Sequence, residues 1–265
     1  MNWTIFKNIF KMNWKLLIIF VGLLCIYLAV IISLIDPNDM EKIQELYGTM
    51  GSFVGAFSIR IDSMTSPLNY TASTFFSVIV MAFTMVFYVI QANSLIAKRV
   101  EDTSIACTLA APVKRSTLVL TCGIYLIFSM VVLFVGILVC GSTMLGTFGN
   151  FDFLAYLNLV GVTFVLCTAV AMLSYFLSIA FCDSKLGSKL AVGVPIGLLF
   201  LQVLGGAGGE KTEWLTKMTP FGYLDSVGIV TGKVETLGMY LIFGCAIIVF
   251  LIASAIAFNQ KRLPI

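Results

Sequence analysis

The sequence has no histidine, and only 11% of its 265 residues are charged. A soluble globular domain carries about 25% charged residues. The deficit excludes an ordinary water-soluble domain and points to an integral membrane protein. Without histidine there is no HExxH zinc-protease motif, and no GxSxG nucleophile elbow occurs either. Cysteine stands at positions 25, 107, 122, 140, 167, 182 and 245, never as CxxC. Small apolar packing residues are expected there, not a disulfide framework or a metal site. The expectation is a chain with no catalytic residue, cofactor or metal of its own.

What the sequence has is apolar length. It is 60% hydrophobic, with a mean hydropathy of +1.04. Charge-free windows of 20 residues or more cover 16–35, 63–97, 116–151, 153–182, 190–209 and 236–260. A bilayer core needs about 20 apolar residues per helix, whereas barrel strands alternate over only ~10. In lipid the backbone must satisfy its own hydrogen bonds, which favours helices. The fold class is therefore an all-α polytopic membrane protein in one transmembrane domain, 1–265. Its six transmembrane helices are expected near 16–35, 71–95, 117–143, 155–181, 190–207 and 237–258. The first is not a cleaved signal peptide: its apolar core is too long, and ISLIDPN offers no small-residue cleavage site. No Lys, Arg, Asp or Glu falls inside a span. Ion-coupled carriers keep ionisable groups at membrane depth, so a self-powered secondary transporter is disfavoured.

Six spans put both termini on one side. The segments there hold eleven of the sixteen Lys and Arg but only three acids, against five and ten on the other side. The positive-inside rule makes both termini cytoplasmic in a multi-pass plasma-membrane protein.

Residues 1–15 have two faces. Thr4, Lys7, Asn8, Lys11 and Lys15 share one arc; Trp3, Ile5, Phe6, Ile9, Phe10, Met12 and Trp14 fill the other. Such an elbow helix lies in the membrane surface, with Trp3, Phe6, Phe10 and Trp14 toward lipid and Lys7, Lys11 and Lys15 toward head groups. The alternative is a plain cytoplasmic extension of the first span. An amphipathic helix is expected at 38–57, outside the cell, from apolar residues recurring at Met40, Ile43, Leu46, Tyr47, Met50, Phe53, Val54 and Phe57. Residues 208–236 mix aromatics, Pro220 and Gly222 with short apolar runs, and read as external re-entrant half-helices before the last span. Gly193 and Gly197 have GxxxG spacing, which suits close helix contact across a dimer seam or within one subunit. GGAGGEK at 205–211 imitates a phosphate loop, but Glu210 stands where the second glycine belongs. No other stretch resembles a nucleotide-binding motif, so this chain is not expected to be an enzyme.

The longest cytoplasmic connection reads LIAKRVEDTSIACTLAAPVKRSTL, 95–118. Asp102 or Thr103 can cap a helix. Ser104 to Ala111 gives two turns, and Pro112 ends them. A short helix at 103–111 is expected, framed by charges and displayed to the cytosol, with Ile105 and Leu109 on one face.

This stretch resembles the coupling region of permeases of type-two ATP-binding-cassette exporters, which read roughly LIAxExEDGTLExLLSxPVSR between the second and third spans. Leu95, Ile96, Ala97, Glu101, Asp102, Ile105, Leu109, Pro112, Val113 and Arg115 fit in register, while Thr103 replaces the usual Gly and Ala106 the usual acid. The resemblance extends to the elbow helix, the six spans, TPFGYLD at 219–225 and the terminal KRLPI at 261–265. It implies a bacterial exporter subunit that pairs with a second permease copy, a homodimer in preference to a heterodimer. Each copy would dock a separate cytoplasmic ATPase that holds the ATP and magnesium. Glu101, Asp102, Thr103, Ile105, Leu109, Pro112 and Arg115 would form the docking surface, with Lys98 and Arg99 in support. Spans without charge suit a hydrophobic or amphipathic cargo such as a peptide toxin, an antimicrobial peptide or a drug. No nucleic-acid partner is expected. The competing readings are an ATP-independent channel or uniporter, and a membrane scaffold that recruits a cytosolic protein.

Overall fold

The computed structural model describes residues 3–34, 66–92, 94–95, 115–148, 151–181, 186–207 and 212–260. Among them it is all-helical. Six helices are long and apolar enough to cross a membrane: α1 (Trp3–Ser33), α2 (Pro67–Ala92), α3 (Arg115–Gly146), α4 (Phe153–Ala180), α5 (Leu186–Ala207) and α8 (Leu237–Gln260). Two short helices, α6 (Glu213–Met218) and α7 (Ser226–Val230), lie between α5 and α8, with a 3-10 turn at Pro220–Tyr223. The expected spans all have counterparts; the first begins at Trp3 instead of near 16, and the ends of the others shift by a few residues.

Local chemistry sets several of those ends. The Ser66 hydroxyl accepts from the backbone N–H of Asn69 at 3.2 Å, and Pro67 follows as the first helical residue of α2. Asp152 Oδ1 accepts from the N–H groups of Leu154 and Ala155 at 3.0 and 3.1 Å and so starts α4. The other end of α7 closes on Gly232, the residue with positive φ (69°). Lys233 N–H bonds to Gly228 O and Gly232 N–H to Ile229 O, the pairing that ends a helix on a left-handed glycine.

The expected break between an elbow at 1–15 and a span at 16–35 is absent: α1 is one helix of 31 residues. No proline or glycine occurs before Gly22 to interrupt it. At 1.5 Å per residue it is roughly 46 Å long, against a hydrocarbon core of ~30 Å. Its lysine-bearing end is thus part of the same helix as the span. The expected helix at 38–57 and the one at 103–111 lie outside the described residues, as does KRLPI.

α4 is the centre of the bundle, with α8 and α5 packed on it and α1 laid along α3. α8 buries only Ser254 and Phe258 and turns Ile242, Ile248, Val249, Ile252 and Ile256 outward. In lipid such outward apolar surface costs nothing, so close packing and polar contacts must hold the helices together. At the α1–α3 crossing, Cys25 Sγ donates to Gly136 O at 3.6 Å and Cys140 Sγ to Cys25 O at 3.5 Å. Small residues there let the two backbones approach.

α2 departs from a plain helix. Ala72–Ile79 is π-helical over eight residues before regular α-helix resumes at Val80. Stretches of π-helix are rare, and they widen the turn. Both Phe75 and Phe76 are fully buried on this segment, with their rings edge-on at 5.3 Å.

Candidate functional site

Of the residues expected to dock an ATPase, Glu101, Asp102, Thr103, Ile105, Leu109 and Pro112 lie outside the described residues. Arg115 is the first residue of α3. The two helices that residues 95–115 join are therefore described, and most of the connection is not.

The N-terminal aromatic face has partners. Phe6 packs edge-on against Tyr125 and Phe128 of α3, with ring centroids 5.8 and 5.6 Å away, and Phe10 meets Phe128 at 6.3 Å. Trp3 stacks on Phe6 at 5.6 Å. Trp14 and the lysines Lys7, Lys11 and Lys15 are exposed. The aromatic arc thus divides: part of it packs on α3 and part stays outward.

Gly193 and Gly197 lie on α5 beside the buried Pro195. Both are exposed, and a Cβ added at either meets no described atom within 4 Å. They do not serve packing among the described residues of this subunit.

The TPFGYLD element is docked on α5. Thr219 Oγ1 donates to Gln202 Oε1 at 2.7 Å, and the same hydroxyl accepts from Gly222 N–H at 3.2 Å. Pro220 follows the cap, Phe221 is buried, and Asp225 Oδ1 caps α7 through Gly228 N–H at 3.0 Å. Thr, Pro, Gly and Asp each occupy the turn position that their backbone chemistry suits. At the start of α8, Tyr240 OH lies 3.1 Å from both Asn158 O and Asn158 Oδ1, and Asn158 Nδ2 donates to Thr236 Oγ1 at 3.2 Å.

A buried polar group escapes a reading based on charge. Thr84, Tyr88 and Gln91 follow one another along one face of α2. Tyr125 and Ser129 do the same on α3. All five are essentially without solvent exposure. Ser129 Oγ lies 2.9 Å from Gln91 Oε1 and 2.7 Å from Leu126 O. Tyr125 and Ser129 sit ten and fourteen residues from the start of α3, roughly 15 and 21 Å along its axis. The signal was present in the sequence as Thr, Tyr and Gln at helical spacing in an otherwise apolar run.

These features define a polytopic α-helical membrane protein with six candidate spans and an uncharged polar patch inside the bundle. Compared with protein-family models and with curated proteins, the chain matches none.

Proposed function

We infer that this chain is the membrane-spanning subunit of an ATP-driven exporter. It works as two copies with a separate cytoplasmic ATPase and moves a hydrophobic or amphipathic cargo, such as a peptide toxin, an antimicrobial peptide or a drug, out of the cell. The observation that carries this reading is the charge-framed segment at 95–115 between the second and third spans, which resembles the coupling region of such permeases. Three further features support it: the six apolar helices, the absence of Lys, Arg, Asp and Glu from the apolar windows that predict them, and the lack of a nucleotide-binding motif in the sequence. In this reading ATP binding closes the ATPase pair. The segment at 103–111 then transmits that motion to α2 and α3, whose ends it joins. The outward glycines Gly193 and Gly197 are candidates for the contact between copies.

The test is charge reversal at Glu101 and Asp102 together with Leu109→Asp, followed by co-purification with the ATPase. Loss of the complex and of stimulated ATP hydrolysis is the expected result. An unchanged complex with unchanged stimulation removes the docking role. Transport by the purified chain alone in liposomes points to the channel or uniporter instead.

A further inference from the structure

Tyr88, Tyr125, Tyr156 and Tyr175 are all buried to within 1%. Two of them have a backbone acceptor: Tyr156 OH donates to Ile137 O at 2.9 Å and Tyr175 OH to Val119 O at 2.8 Å. Tyr88 OH and Tyr125 OH have no hydrogen-bond partner among the described residues. Neither have Thr84 Oγ1 and Gln91 Nε2. These four make up most of the six such atoms, the others being Ser178 Oγ and Ser226 Oγ. Leaving a buried donor unpaired costs about 1–3 kcal/mol, and lipid offers no compensation. Four such groups on two facing helices require an explanation in common.

Rearranging the side chains removes only part of the deficit. Ser129 has one proton for two acceptors, Gln91 Oε1 and Leu126 O. Turning the Gln91 amide over lets Nε2 donate to Ser129 Oγ, whose proton goes to Leu126 O. Thr84 can swing to the carbonyl four residues back, as Thr71 and Thr74 do on the same helix. Tyr88 OH and the second N–H of Gln91 still lack an acceptor among the described residues. They are three residues apart on one face of α2.

We propose that Tyr88 and Gln91 on α2, with Tyr125 and Ser129 on α3, form a buried site that binds water inside the bundle. The unpaired groups are donors, so the ligand must accept. It must also be neutral, because no charged residue lies within the spans to offset a buried ion. Water is the smallest neutral acceptor. A water-bridged contact gives α2 a seam that re-forms after a small shift, where an apolar contact would have to be repacked.

The experiment is water-edited solid-state NMR on the full-length protein in lipid bilayers. The four tyrosine signals are assigned by single Tyr→Phe variants. Magnetisation from water is expected to reach the Tyr88 and Tyr125 rings several-fold faster than the Tyr156 and Tyr175 rings. Equal build-up at all four rings overturns the site. Thermal unfolding of Tyr88→Phe gives an independent reading. A lowered Tm, as a lost water bond produces, supports the proposal; an unchanged or raised Tm, as for removal of a dry unpaired hydroxyl, overturns it.

Discussion

Gly141→Ala tests how the bundle is held together. Gly141 is a buried residue of α3 facing α4. A methyl group there falls on the Tyr156 hydroxyl, 2.6 Å from ring atom Cζ and 3.2 Å from Leu28 Cδ2. The ring cannot easily swing aside, because Phe76 and Phe151 pack edge-on against it at 6.1 and 6.5 Å. Overpacking of this kind costs about 1–3 kcal/mol. Displacing the hydroxyl from Ile137 O adds about 0.6 kcal/mol, the average for a hydrogen bond between membrane helices. The better helix propensity of alanine returns at most ~1 kcal/mol. The net expectation is a loss of about 1–3 kcal/mol, or roughly 2–4 °C in Tm per kcal/mol for a chain of this size. Unfolding in detergent can be followed by labelling the buried thiols of Cys122 and Cys167, each 1% exposed, with a fluorogenic maleimide. Tyr156→Phe alone should cost about 0.6 kcal/mol. The double variant should lose less than the sum, with a coupling of about 0.5–3 kcal/mol, because removing the oxygen relieves part of the overlap. A Gly141→Ala protein as stable as the parent, or strict additivity in the double variant, would refute the close α3–α4 contact.

Two further outcomes concern the TPFGYLD element. Gly222→Ala places Cβ against the backbone carbonyl of Thr216, which cannot rotate away; a loss of about 1–3 kcal/mol is expected in the same assay. Thr219→Val removes the partner of the buried Gln202 side chain and the cap of the 3-10 turn, at about 1–3 kcal/mol. Thr219→Ser should restore most of that loss, and failure to do so would show that the methyl group, not the hydroxyl, matters.

The number of spans was legible because lipid imposes a simple rule: about 20 apolar residues without charge. The half-helices before α8 were legible for a different reason, since Pro220, Gly222 and Asp225 mark turns by their own backbone chemistry. The expected elbow failed as a separate element. An amphipathic pattern at 1–15 states which faces are polar, but not whether the helix bends where the next one begins. Gly193 and Gly197 show a similar limit: GxxxG spacing says that a close approach is allowed, and only the fold shows that no described atom of this subunit takes it up.

The sequence by itself determined six apolar helices, which follow from composition counted along the chain. The tertiary structure decided which uncharged polar groups meet. Gln91 and Ser129 are 38 residues apart, yet their side chains lie 2.9 Å from each other. Tyr156 finds a carbonyl and Tyr88 finds none among the described residues. A hydroxyl's partner depends on the rotation and depth of a neighbouring helix, which no local pattern encodes, and in lipid that partner is what a buried polar group most needs.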